Sequence, residues 1–317
     1  MYQDYRLIRI CSANGVCRAT IDHPPINVLD MPLLTEIDRL LREVAGDDGV
    51  RVLIVDSADP EFFIAHADVS LLGDLHFRPE SADTALHDEL SFLHAMTERI
   101  RTLPKATIAV VEGICGGASC EFVMAFDMRY AALGTTVLGH PEVSVGIIPG
   151  GGGTQRLPRL VGRGRALEVI LGCQDVDAAT AEAWGYINRA LPADELRGFV
   201  DTLAARIASC PPAAIAAAKR AVDAALDQRL DVATGLRIED QLLRKTLAEP
   251  AARRLLRAII DAGAQTRDFE LGTAPKPPAR PSRRGTQPRI SESPSALTLT
   301  GTTSPSCTSP ASSILAN

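Results

Sequence analysis

Aromatic residues are scarce in this chain: one Trp, four Tyr and eight Phe make up 4% of 317 residues. A platform that stacks nucleobases needs more rings than this. An excess of basic charge is missing too, with 33 Lys and Arg against 39 Asp and Glu and a net charge of −6. No basic stripe runs along the sequence, so nucleic acid is not an expected partner. Paired cysteine motifs are absent. The seven cysteines (Cys11, Cys17, Cys115, Cys120, Cys173, Cys210, Cys307) are odd in number and form no C-x-x-C. Neither a zinc site nor a disulfide framework is indicated, and reduced thiols in a cytoplasmic protein are expected. No apolar run is long enough for a membrane helix. The opening MYQDYRLIRI carries Asp4, Arg6 and Arg9 where a leader would have its apolar core, so no secretory signal is expected.

What is present is apolar residues, 46% of the chain, ample for a sizeable core. Tyr5–Ile10 and Cys17–Ile21 alternate like paired strands around an Asn14-Gly15 turn. Asp30 can cap a helix with Pro32 in its first turn and Leu33, Leu34, Ile37, Leu40, Leu41 and Val44 as its stripe. Val50–Val55 is a short apolar strand, and strand–helix–strand order recurs, so the class is α/β. Within Glu61–Leu72 an apolar run breaks at Ala65-His66-Ala67-Asp68, and Asp68 can cap a short following helix. A later helix carries Leu86, Leu90, Leu93 and Met96 on one face. Asp177–Ala183 and Ala193–Ala208 read as helices, and Pro211-Pro212 marks a joint before further helices rich in Ala, Leu and Arg. The expected organisation is a core over residues 1–208, a helical subdomain over 209–271 and a Pro/Ser/Thr-rich tail over 272–317 without periodicity, expected to be disordered.

The chain is organised around VEGICGGASCEFVMAFD at 111–127. An apolar strand, Thr107–Val111, runs into Gly113, Gly116 and Gly117, and a helical pattern follows over Ala118–Asp127. Free N–H groups at such a helix start suit an anion, or an oxygen that becomes anionic during a reaction. Glu121 stands one turn in, among apolar neighbours. It is either a candidate acid or base or a buried carboxylate capping local N–H groups. GIIPGGGGTQR at 146–156 is a second glycine loop. It is not a Walker loop, because Thr154-Gln155 stands where Gly-Lys-Ser/Thr would be needed.

Four motifs together carry a family resemblance: PPINVLD at 24–30, FFIAHADVSLL at 62–72, the central stretch, and HPEVSVGIIPGGGGTQRLPRLVG at 140–162. In order and spacing they resemble the enoyl-CoA hydratase/isomerase (crotonase) superfamily from about Tyr5 to about Phe269. The resemblance implies a crotonase-like spiral of ββα units with a C-terminal helical subdomain, assembled as a homotrimer or hexamer. It implies an acyl-CoA thioester substrate and no metal or redox cofactor. By motif match, the N–H groups of Ala65 and Ala118 would form an oxyanion hole. Glu121 would activate water and Glu142 would protonate Cα. Ile26, His66, Ala67, Asp68, Gly117 and Gly150 join Ala65 as the matched substrate-binding positions. The activity implied is enoyl-CoA hydratase. A Δ3,Δ2-enoyl-CoA isomerase, other acyl-CoA chemistry and a non-catalytic scaffold remain as alternatives.

Several positions depart from the family pattern. His66 and Ala118 replace glycines, and Ser119 stands where another glycine is common. His66 is open to a loop-filling role or a substrate contact, Asp68 to a structural cap or a coenzyme A contact, and Glu142 to a first-turn helix acid or a catalytic one. His140, ahead of Pro141, is open to a solvent-facing position. Asp261-Ala262-Gly263-Ala264-Gln265 replaces the family's basic cluster near the phosphates of coenzyme A, leaving Arg253, Arg254, Arg257 or Arg267 to serve. Ser119 lacks the closing glycine of a nucleophile elbow, and Cys115 and Cys120 are expected to be packing residues.

Overall fold

The computed structural model of the protein describes residues 1–72, 92–227 and 229–271. Leu86, Leu90 and the tail over 272–317 lie outside the described residues. The Asn14-Gly15 turn has positive φ at both residues, 53° and 85°, and joins β1 (Ile8–Ala13) to β2 (Val16–Ile21) as an antiparallel hairpin. The first strand thus begins at Ile8 rather than at Tyr5. Asp30 caps α1 (Met31–Gly46), its carboxylate accepting from Leu33 N at 2.9 Å. All six stripe residues of α1 are buried.

From there the chain winds in turns, each giving one strand to a first sheet and one to a second. β3 (Val52–Ser57), β5 (Ala106–Val111) and β7 (Met128–Ala132) extend the hairpin, and β10 (Arg189–Leu191) completes a six-stranded sheet ordered β1-β2-β3-β5-β7-β10. β4 (Phe62–Ile64), β6 (Ile114–Gly116), β8 (Val137–Gly139) and β9 (Val176–Asp177) make a four-stranded sheet in that order. Within it β4, β6 and β8 are parallel neighbours. Helices separate the turns: α2 (Val69–Leu72), α3 (Phe92–Thr102), α4 (Ala118–Val123), α5 (Gly153–Val161), α6 (Arg163–Gly172) and α7 (Ala178–Trp184). This is the expected ββα spiral.

Period-two alternation divides the core. Leu53, Val55, Ala109 and Val111 face a cluster that includes α1, α3, α4 and the second sheet. Val52, Ile54, Ile108 and Val110 face Leu196, Val200 and Ala204 of α8 (Ala193–Ala208). Strands covered on both faces read as continuous apolar runs in the sequence for this reason. Asp56 is buried against α8, but Arg18, Arg197 (3.0 Å) and Thr20 (2.6 Å) neutralise and bond it.

The helix at 118 is shorter than its pattern. It ends at Val123 because Asp127 is drawn to β5: Thr107 N donates to its carboxylate at 2.8 Å, and Asp127 N donates to Thr107 Oγ1 at 2.9 Å. Lys219, on α9 (Pro212–Leu226), closes the same carboxylate at 2.8 Å. α10 (Val232–Ala248) packs on α9. Chain contacts group Met1–Glu249 as one unit, and a second unit starts at Pro250 with α11 (Pro250–Asp261) and α12 (Arg267–Glu270). Arg253, Arg254 and Arg257 are exposed on α11, and Arg267 opens α12. Among the described residues no helix is long and apolar enough to cross a membrane.

Candidate active site

The matched segments leave the carboxyl ends of three neighbouring parallel strands. Ala65–Asp68 follows β4, Gly117-Ala118 follows β6, and His140–Glu142 follows β8. In open α/β sheets this end of the strands is where ligands bind.

The first segment is a pair of strips. Leu29 N donates to His66 O at 2.9 Å, Asp68 N to Leu29 O at 3.1 Å, and Ala65 N to Ile26 O at 3.2 Å. Ile26, Ala65, His66, Ala67 and Asp68 are thereby brought together. The Ala65 N–H therefore already has an acceptor inside the protein, at the long end of the usual range. Asp68 accepts from Ser70 N at 2.9 Å and so caps α2. His66 is exposed, with Nδ1 2.8 Å from its neighbour's carbonyl, Ala67 O. Sequence reasoning missed the clamp under these strips. Asn27 is buried, takes φ of 51°, and donates through Nδ2 to Ser57 Oγ (2.8 Å), Phe62 O (3.1 Å) and Phe63 O (3.2 Å).

The second segment needs glycine at two successive positions. A Cβ on Gly116 would stand 2.5 Å from Ala65 O. Gly117 has φ 55° and ψ −123°, a region side chains avoid. Its own N–H is spent on Gly139 O at 2.8 Å. The next N–H, that of Ala118, opens α4, where helix geometry supplies no intrahelical acceptor.

Glu121, one turn along α4, is 2% exposed. Its Oε1 accepts from Gly151 N at 2.7 Å and Gly153 N at 2.6 Å, at the start of α5. Burial pushes its pKa up. The two N–H bonds and His140 pull it down, Glu142 adds to the rise, and the net shift is upward. Two glycines of the loop leave room for this carboxylate. A Cβ at Gly153 would lie 2.9 Å from Oε1, and one at Gly151 2.8 Å from Oε2. Gly153 has no positive φ, so Ala fits its backbone. Gly153→Ala is therefore expected to fold, displace the carboxylate and cut turnover on the order of 10²-fold. Parent-like steady-state rates in a folded Gly153→Ala protein would show that the position of Glu121 is immaterial. Gly150, by contrast, is exposed and has space for a side chain.

Glu142 opens a 3₁₀ turn, Glu142–Val145. A Cβ on Gly117 would lie 3.0 Å from its Oε1. Its Oε2 points the other way and is buried with no hydrogen bond. His140 does not face solvent. It is fully buried, with Nε2 3.2 Å from Tyr186 Oη and Nδ1 3.6 Å from Glu142 Oε2. The hydroxyl of Tyr186, 46 residues away, makes this position, and no local pattern could signal it. Cys115 and Cys120 pack as expected, Cys120 Sγ donating to Cys115 O at 2.9 Å. Among the described residues no group of three His, Cys, Asp or Glu could hold a metal ion.

Glu121 thus stands on the helix that the Ala118 N–H opens, and Glu142 lies against the preceding Gly117, an arrangement able to move protons beside a developing negative charge. Known proteins share the sequence and fold. The model of the family described as enoyl-CoA hydratase/isomerase matches residues 12–261. The short-chain-enoyl-CoA hydratase of Clostridium acetobutylicum is 32% identical over 228 residues, 71% of this chain and 84% of that protein. The crotonyl-CoA hydratase of Syntrophomonas wolfei is 33% identical over 211 residues, 67% and 78% of the two chains. The crystal structure of an enoyl-CoA hydratase from Bacillus anthracis superposes with a TM-score of 0.72 at 29% identity, covering 81% of this chain and 96% of that one. The chain belongs to the enoyl-CoA hydratase/isomerase family.

Proposed function

We propose that the protein is an enoyl-CoA hydratase that adds water syn across the double bond of a trans-2-enoyl-CoA thioester. The observation that carries this reading is the pair of carboxylates, Glu121 on α4 and Glu142 with Oε1 against Gly117. Isomerisation can run with one acid–base group, whereas hydration calls for a base on water and an acid for Cα.

The thioester oxygen accepts from the Ala118 N–H and from the Ala65 N–H, which shares itself with Ile26 O. Charge drawn onto that oxygen makes Cβ electrophilic. Each such donor is worth roughly 3–4 kcal/mol of barrier. Glu121 holds one oxygen on two N–H groups and keeps Oε2 for the water. Its raised pKa makes it a stronger base than a solvated carboxylate. Water loses a proton to Glu121 and its oxygen bonds Cβ. The enolate then takes a proton at Cα from Glu142 Oε1, and its carbonyl reforms. Protons move and no net electrons do, so this chemistry needs no redox cofactor. The exposure of Val222 and Leu226 on α9, and of Val232, Leu236, Leu243 and Leu247 on α10, supports association with further copies through these helices, which we read as a homotrimer or hexamer.

The test is loss of the conjugated-thioester absorbance with a short and a long trans-2-enoyl-CoA, beside its gain with a 3-enoyl-CoA. Hydration of either 2-enoyl substrate is expected. Turnover of the 3-enoyl substrate alone would make the protein an isomerase, and tight binding without turnover would make it a scaffold.

A further inference from the structure

Behind Glu142 lies a polar group that the reaction above does not use. His140 follows β8 directly and is fully buried. A buried imidazole is costly unless both nitrogens are served. Nε2 is served by the Tyr186 hydroxyl at 3.2 Å, and that hydroxyl is itself on a fully buried residue. Nδ1 has no hydrogen bond, and neither has Glu142 Oε2, the buried atom that faces it at 3.6 Å. Two complementary, otherwise unpartnered atoms therefore stand a few tenths of an ångström beyond bonding distance. Glu142's other oxygen, Oε1, is the one turned to Gly117 and the start of α4.

We infer that His140 is a positioning residue for Glu142: through Nδ1 it holds Oε2 in the wall, so that Oε1 faces the substrate, and it stabilises the carboxylate left when Glu142 gives up its proton. The kinetic consequence rests on the hydratase reading; the His140–Glu142 coupling does not. Tyr186 fixes the tautomer. When its hydroxyl donates to Nε2, the neutral ring carries its proton on Nδ1, aimed at Oε2. The cation has a proton there as well. In both states the acid's second oxygen meets a donor.

The groups that face the ring are Glu121 and Cys120 from α4, Glu142 from the 3₁₀ turn and the Tyr186 hydroxyl. Burial opposes the imidazolium, but Glu142, with Glu121 beyond it, outweighs that cost, and the His140 pKa lies above its ordinary 6.5.

Two measurements on the full chain test this. The first needs no substrate: ¹⁵N-histidine NMR titration of the parent and of Glu142→Gln. The midpoint of His140 is expected above the ordinary histidine range in the parent and lower in the variant. An unchanged midpoint overturns the coupling. The second is steady-state kinetics against pH. His140→Leu is expected to lower kcat on the order of 10²-fold, with KM little altered and the limb that reports the acid displaced. His140→Gln, whose amide can donate to Oε2, is expected to recover most of the rate. Parent-like kcat and pH profile in His140→Leu, or a Gln variant as slow as Leu, overturns the positioning role. Should the Leu variant not fold, Tyr186→Phe takes its place, and a parent-like profile there overturns the role of the tautomer lock. A parent that hydrates nothing, yet whose His140 midpoint answers to Glu142, leaves the inference standing and removes the hydratase reading. A parent that hydrates normally while His140 ignores Glu142 does the reverse.

Discussion

Replacing Glu121 with Gln is expected to lower kcat about 10²–10⁴-fold while raising the melting temperature at neutral pH. The rate falls because an amide cannot take a proton from water. The stability rises for a separate reason. The folded-state pKa of Glu121 is raised above its ordinary 4.5, mainly by burial. The stability linked to a raised group is fully present below its unfolded pKa and is lost as pH climbs through its folded pKa. The parent therefore loses stability between about pH 4.5 and that higher value, and Gln, which does not titrate, does not follow. The amide oxygen can still accept from Gly151 N and Gly153 N, so the loop stays closed. Melting temperatures of both proteins from pH 4 to pH 9 should diverge upward in favour of Gln and then run parallel. Parallel curves throughout would remove the raised pKa, and hydration within tenfold of the parent would remove the base.

Ala118→Pro addresses the other half of the chemistry. The donor is a backbone N–H, so truncating the side chain leaves it in place, whereas proline deletes it. Position 118 opens α4, and the first turn of a helix tolerates proline. The preceding residue is Gly117, whose backbone is already outside the helical region. A drop in kcat on the order of 10²–10³-fold is expected, with a smaller change in thioester affinity, because the donor acts most on the developing enolate. Ala118→Gly retains the N–H and should stay near the parent rate. Circular dichroism of both variants comes first. A well-folded Ala118→Pro protein working at the parent rate would sink the oxyanion assignment.

What the sequence made legible was local. The cap at Asp30, the positive-φ turn at Asn14-Gly15 and the helix start after Gly117 depend on residues within a turn of each other. The family motifs, each a contiguous string, carried the spiral and pointed to the two glutamates. Features that depend on distant partners stayed hidden. Asn27 looks like an ordinary loop residue until Ser57 and the Phe62 and Phe63 carbonyls are brought to it. The helix at 118 reads through to Asp127 because nothing nearby in sequence announces that Thr107 and Lys219 will claim that carboxylate. His140 stays open to a solvent-facing position in the sequence because its surroundings include Tyr186, 46 residues away.

The three working segments leave adjacent parallel strands, β4, β6 and β8, and stay tied to one another past the strand ends: Gly117 N donates to Gly139 O, and Gly116 lies against Ala65 O. A residue added to or taken from one segment would therefore move backbone groups on which its neighbours rest. His66, by contrast, is exposed, so a change of side chain there leaves those ties in place. Chemistry on this frame can consequently vary through side chains that these ties leave free, while the backbone of the three segments is held together.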